Sequence, residues 1–168
     1  MEYGMGFAGI SILVVDDNPH MRAIIAAVLR GIGVRDLREA SDGATALERL
    51  RDTYVDVIIT DYAMEPLDGL DFTRLMHTAK DSRHVETPVI LMNGHPDRET
   101  ILAARDAGVN EILVKRVSAQ TIIQRMIAVI DQPRSFVRAP KFTGLDGRRR
   151  ASAAYRGPDR RDADTWAG

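Results

Sequence analysis

Short β-branched runs alternate with longer amphipathic stretches over residues 11–130, which predicts an α/β protein built on a doubly wound parallel sheet. Two further observations support that class. The apolar runs are continuous rather than alternating, as in strands buried on both faces. Polar residues, mostly acidic, follow four of the five runs, where sheets of this kind bind their ligands.

The elements justify themselves in order. Ile12-Leu13-Val14-Val15 is a compact buried strand ending at Asp16-Asp17. Pro19 suits a first helical turn and opens a helix presenting Met21, Ile24, Ile25, Val28 and Leu29 on one face, closed by Gly31 and Gly33. Residues 34–39 read as an edge strand, and 41–51 as a helix presenting Ala44, Leu47 and Leu50. The third strand spans 55–60 and the third helix 70–78. The fourth pair spans 88–92 and 98–107, with Gly108 ending the helix. The fifth strand covers 111–114, and the last helix covers 118–130 with Ser118 as its N-cap. Pro133 stops the alternation. Beyond it only Val137 and Leu145 are aliphatic residues larger than Ala, so the segment alone is expected to be disordered unless a ligand orders it. Residues 1–9, with three Gly, are expected to fray. The division is thus a flexible 1–9, a domain over 10–131 and a tail over 132–168.

A net charge of −1 hides an asymmetry. From Asp131 onward the chain carries eight Arg and one Lys against five Asp; the body before it is acidic. That points to an anionic partner for the tail. The absence of cysteine excludes disulfides and thiolate metal sites. No leader-like segment and no apolar stretch of spanning length is visible, so a cytoplasmic protein without membrane insertion is expected.

The strand ends carry the chemistry: Asp16 and Asp17 after the first strand, Asp61 after the third, Asn93 after the fourth, Lys115 after the fifth. Three carboxylates converging in one crevice repel one another unless a cation is present, and hard oxygen ligands suit Mg²⁺ better than zinc. A lysine facing them stabilises a transferred phosphoryl group, with one carboxylate as nucleophile. A lone Asp at a strand end is usually a cap or loop residue, and Asp68 before Gly69 is read that way. Four such charges in one pattern are not explained so simply.

These residues resemble a known family. Val14-Val15-Asp16-Asp17-Asn18, Ile58-Ile59-Thr60-Asp61-Tyr62, Leu67-Asp68-Gly69, Ala107-Gly108-Val109 and Val114-Lys115 look like the receiver domain of CheY-like response regulators, over about residues 10–130. The resemblance implies a (βα)5 flavodoxin-like fold and a histidine kinase or phosphotransfer partner. It implies that Asp61 is the phosphoacceptor and that Asp17, Asp61 and the Ala63 carbonyl bind Mg²⁺. Asp16 would act through water, and Lys115 would pair with the phosphate. Three positions depart from the family pattern. Asn93 replaces a hydroxyl residue, Ile112 an aromatic switch residue, and Arg116 a proline that is typically cis, so a trans bond is expected there. The relay from phosphate to output surface is altered, by drift in a working receiver or because another input has taken over.

The tail repeats itself. Phe142, Gly144, Asp146 and Arg148 recur thirteen positions later as Tyr155, Gly157, Asp159 and Arg161, with Arg149 and Arg160 beside them. Arginine-rich tails commonly bind nucleic acid or acidic membrane. Interleaved aspartates weaken such binding and need another purpose, which guanine supplies. A carboxylate accepts from the Watson–Crick donors, Arg pairs with O6 and N7, an aromatic ring or Arg stacks, and Gly permits close approach. Two units read two guanines, as in cyclic di-GMP. A receiver with such a tail is similar to the CheY-like cyclic-di-GMP effectors of alphaproteobacteria, which implies docking on a flagellar motor switch or adhesion machinery, at a pole or motor. The leading expectation is therefore a non-enzymatic cyclic-di-GMP-binding module. The competing one is a phosphorelay response regulator phosphorylated at Asp61, its tail a docking or anion-binding arm. DNA binding is disfavoured, since the tail is too short and polar to fold as a reading domain.

Overall fold

The computed structural model describes residues 6–79, 82–131, 134–139 and 142–149, the last two stretches as backbone only. Five strands, β1 (Ser11–Val15), β2 (Asp36–Ala40), β3 (Val57–Asp61), β4 (Val89–Asn93) and β5 (Glu111–Val114), alternate with five helices. These are α1 (Pro19–Gly31), α2 (Gly43–Asp52), α3 (Gly69–Thr78), α4 (Arg98–Ala107) and α5 (Ala119–Asp131). The strands form one parallel sheet in the order β2-β1-β3-β4-β5.

Strand periodicity explains the two cores. Along β1, Leu13 and Val15 join Leu50, Phe72, Met76 and Ile101 under α2, α3 and α4. Ile12 and Val14 point the other way, to Ile25, Leu29, Ile122 and Met126 under α1 and α5. β1, β3 and β4 are buried throughout, whereas β2 alternates exposed and part-buried positions as the predicted edge strand should. The helix starts are capped by Asn18, Asp42, Asp68 and Asp97, each accepting a backbone N–H, and the Ser118 hydroxyl accepts from Thr121 N. Each cap contributes about 1 kcal/mol.

Several expectations need correction. Phe7, placed in a fraying segment, is only 2% exposed and packs into the α1/α5 core after a 3₁₀ turn over Phe7–Gly9. Burying one phenyl ring outweighs the glycines around it. Ile24, expected on the apolar face of α1, is 51% exposed, because Ile25, Ala26 and Leu29 fill that face. Ala44 is likewise exposed, and Ala46 takes its place under α2. Val34 belongs to the turn closing α1, its N–H bonded to Leu29 O at 3.0 Å, so β2 begins later than the sequence suggests. β3 and β4 each run one residue further, to Asp61 and Asn93.

Beyond α5, where composition leads one to expect no fixed element of its own, the backbone pairs as an antiparallel hairpin of β6 (Arg134–Ala139) and β7 (Phe142–Arg149). A hairpin satisfies its ladder bonds without a core, and by itself is marginal in water, in keeping with a segment poor in aliphatic residues. β7 lies beside α4 and reaches α3. No helix among the described residues is long and apolar enough to cross a membrane.

Candidate functional site

The β1–α1 turn, the last residues of β3 and β4, and the residue after β5 meet at the carboxyl edge of the sheet. Carboxylate oxygens of Asp16, Asp17 and Asp61 all lie within 4.8 Å of one another. Asp61 is fixed by its place in the ladder, paired with Met92 on β4, and its Oδ1 receives the Lys115 ammonium at 2.8 Å. Lys115 is held in turn by its own N–H, which donates to the Asn93 carbonyl at 2.9 Å. Asn93 Oδ1 accepts from His95 N at 3.1 Å, which leaves the NH₂ of that amide as the end able to donate into the crevice. Ala63 follows in the β3–α3 loop at an exposed position.

Asp16 and Asp17 take different roles from adjacent positions. Asp17 is exposed at the mouth, and Asp16 is fully buried. Asp16 Oδ1 accepts from Asn18 N at 2.9 Å, and Asn18 in turn caps α1 through His20 N. Asp16 Oδ2 is buried without a hydrogen-bond partner among the described residues. Burial pushes the Asp16 carboxyl up to about 6, and the Asp61 charge adds to that while the Asn18 N–H and Lys115 work against it. Burial also raises Asp61, opposed by the hydrogen bond and charge of Lys115. Among the described residues, three carboxylates against one ammonium leave the crevice short of positive charge. The orphaned Asp16 oxygen and the all-oxygen donor set fit a hard divalent cation.

Two contributions to this site escape a reading of the sequence, the close packing of Gly69 and the bracing by Arg22. Gly69, the first residue of α3, packs so tightly on β3 that an added Cβ would overlap the Asp61 carbonyl oxygen and lie 2.9 Å from Leu91 Cδ1. Arg22, at the end of the first turn of α1, donates to the Asp16 carbonyl at 2.6 Å and pairs with Glu39 at 3.4 Å. An arginine five residues past a paired Asp was the available signal. Of the predicted tail residues, Phe142, Gly144, Asp146, Arg148 and Arg149 lie on β7, while Tyr155, Gly157, Asp159, Arg160 and Arg161 lie outside the described residues. A separate cavity of about 540 Å³ opens between the C-terminal turns of α2 and α3, lined by Leu47, Leu50, Leu75, Met76, Arg51 and Arg83 among others. It holds none of the predicted site residues.

A family model described as the response regulator receiver domain matches residues 12–127. The chain belongs to that family. The chemotaxis protein CheY-3 of Vibrio cholerae is 32% identical over 123 residues, covering 73% of this chain and 93% of that protein. The solved structure of the chemotaxis response regulator CheY4 of Vibrio cholerae is 25% identical with a TM-score of 0.67, covering 72% of this chain and 98% of that one. A receiver domain of a sensor histidine kinase from Pseudomonas aeruginosa, solved with a magnesium ion in its active-site cleft, is 31% identical with a TM-score of 0.60, covering 72% and 96%. As a CheY-like receiver, the chain has its family match end at residue 127, before the tail, so relatives lend the tail no ligand. Two departures from the receiver pattern are visible in place. Ile112 is fully buried in the α2–α4 core, and the Lys115–Arg116 bond is trans, the cis peptide among the described residues being Glu65–Pro66.

Proposed function

We propose that this receiver is a phosphoacceptor, taking a phosphoryl group at Asp61 from a histidine kinase and turning over no external substrate. The observation that carries the reading is the Lys115 ammonium 2.8 Å from a buried Asp61 in a crevice with two further carboxylates. A carboxylate oxygen of Asp61 forms a bond to phosphorus as the P–N bond of a phosphohistidine breaks. The departing imidazole takes a proton, and Asp61 becomes an acyl phosphate. Lys115 keeps Asp61 ionised against the cost of burial and then turns to the phosphoryl oxygens. The Asn93 NH₂ supplies the donor that a hydroxyl supplies elsewhere in the family. Asp17, Asp61 and the Ala63 carbonyl would hold Mg²⁺, with Asp16 acting through water; the ion, when bound, offsets negative charge on the transferred group. Incubation with acetyl phosphate and MgCl₂, followed by a phosphate-affinity gel, should give a retarded, alkali-labile species that Asp61→Asn abolishes. A native protein that shows no such species overturns the reading.

A second reading rests on the tail: cyclic di-GMP binds the repeated unit and steers docking on a flagellar motor switch or adhesion partner. Its support is the repeat, whose first copy, Phe142, Gly144, Asp146 and Arg148, falls within the single strand β7. Calorimetric titration of the full chain tests it. Heat with cyclic di-GMP, absent with GMP and lost in Asp146→Ala/Asp159→Ala, is expected. Binding that ignores those aspartates and collapses with salt would make the tail a general polyanion binder.

A further inference from the structure

We infer that Arg22 is a positioning residue for the cation site, acting on Asp16 and Asp17 through the main chain rather than through its charge; the inference rests on the phosphoacceptor reading. The β1–α1 turn has to hold two adjacent acidic side chains in different places, one buried and one at the mouth. Their carboxylate oxygens nonetheless lie within 4.8 Å of one another, and repulsion works against that approach. Three bonds oppose it. Asp16 N donates to the Ala40 carbonyl at the end of β2 at 3.1 Å, and Asn18 N donates to Asp16 Oδ1. Arg22 NH1 donates to the Asp16 carbonyl at 2.6 Å, short for its type and charge-assisted.

The guanidinium is itself held. Its Nε lies 3.4 Å from Glu39 Oε1, and Glu39 immediately precedes Ala40. One side chain therefore ties three elements together: the first turn of α1, the turn carrying both aspartates, and the end of the edge strand. The planar fork is what permits this, since Nε and NH1 project in different directions. A lysine in the same place has one point charge and can serve the carbonyl or the carboxylate, not both in this geometry. The ion pair alone is partly exposed and stabilises little, so the contribution of Arg22 lies in where it puts the Asp16 peptide.

Charge and position predict opposite signs, which makes the inference testable. Removing a cation near a metal site tightens Mg²⁺ binding if electrostatics dominate. If Arg22 sets ligand geometry, removing it weakens binding, by about tenfold on the scale of other outer-shell changes. The probe is MgCl₂ titrated into the full chain in a calorimeter, with urea unfolding run beside it. Expected are a roughly tenfold weaker Kd in Arg22→Gln, a smaller loss in Arg22→Lys and the smallest in Glu39→Gln. Phosphorylation by acetyl phosphate should show the same increase in half-saturating Mg²⁺, with the rate at saturating Mg²⁺ restored. A Kd in Arg22→Gln that is unchanged or tighter overturns the inference. So does a lowered urea midpoint with native Mg²⁺ affinity, which would make the residue a stabilising brace alone. If Arg22→Gln fails to fold, Arg22→Lys and Glu39→Gln decide by the same criterion. A native protein that does not bind Mg²⁺ defeats the phosphoacceptor reading instead, and Asp17→Asn with native affinity does the same.

Discussion

Replacing glycine by alanine at three helix positions asks one chemical question in three environments. At Gly69 an added methyl would overlap the Asp61 carbonyl oxygen and come within 2.9 Å of Leu91 Cδ1 and 3.1 Å of the Asp61 carbonyl carbon. Two of those atoms are backbone of a buried strand, so relief requires α3 to move away from β3. Overpacking of that kind costs about 1–3 kcal/mol. The gain from restricting the unfolded chain offsets only about 0.4–1 kcal/mol, leaving a net loss near 1–2 kcal/mol. At Gly43 the neighbours are Leu67 Cδ2 at 3.1 Å, Leu67 Cβ at 3.2 Å and the Leu67 carbonyl at 3.2 Å, in a loop better able to yield, so the two terms nearly cancel. Nothing lies within 4 Å of a methyl at Gly31, where the entropic gain stands alone. With a urea m-value near 2 kcal/mol/M, the midpoint should fall by about 0.5–1 M in Gly69→Ala, hardly move in Gly43→Ala, and rise by a few tenths molar in Gly31→Ala. Because the crowded atom is the Asp61 carbonyl oxygen, strain that α3 does not relieve falls on the nucleophile's own backbone, and Gly69→Ala should also slow phosphorylation by acetyl phosphate. A Gly69→Ala protein as stable as the native one would refute the reasoning, and so would a Gly31→Ala protein destabilised as much as Gly69→Ala.

Other outcomes follow from the same coordinates. Asp16, its carboxyl raised from 3.8 to about 6, binds its proton more tightly folded than unfolded, so the stability linked to it is present below pH 4 and lost as pH rises through 6. Asp16→Asn should therefore stabilise the metal-free protein near pH 7, by up to about 3 kcal/mol, with no gain below pH 4 and weakened Mg²⁺ binding; urea midpoints across that range decide. His84 accepts from Val55 N at 3.2 Å, and burial, with Arg83 adding to it, holds its pKa below 6.5. Its stabilisation is present above 6.5 and falls away on acidification, so the decline in melting temperature just below pH 6.5 should be shallower in His84→Gln. Lys115→Ala leaves Asp61 buried with its ion pair removed. That variant should phosphorylate at least tenfold more slowly while keeping its near-native circular dichroism.

What the sequence disclosed depended on how local its cause was. Continuous runs such as 12–15 and 89–92 disclosed buried strands because both faces must be apolar, and Pro19, Gly108 and Ser118 marked helix ends through their own backbone chemistry. The carboxylates were legible because a strand end has a defined place in a doubly wound sheet. Phe7 was not legible, since its burial depends on α1 and α5 leaving a space far along the chain. Neither was the exposure of Ile24, where three competitors on the same helix fill the core face. Gly69 and Arg22 act on the backbone of Asp61 and Asp16 across turns whose path no residue pattern specifies.

Asp61 and Asn93 end their strands inside the ladder, and the bonds just beyond them, Tyr62 N to Met92 O and Lys115 N to Asn93 O, extend it by one rung. Asp16 N extends the β1–β2 ladder in the same way by donating to the Ala40 carbonyl, whereas Asp17 and Asn18 follow on a turn held by Asn18 N to Asp16 Oδ1 and by Arg22 to the Asp16 carbonyl. The crevice therefore joins two regimes of motion. The amides of Tyr62 and Lys115 should exchange with solvent only when the sheet opens, over the slowest times the protein shows, while those of Asp17 and Asn18 exchange through local opening of the turn. On that measure nucleophile and lysine form the still wall of the site, and Asp17 the moving one.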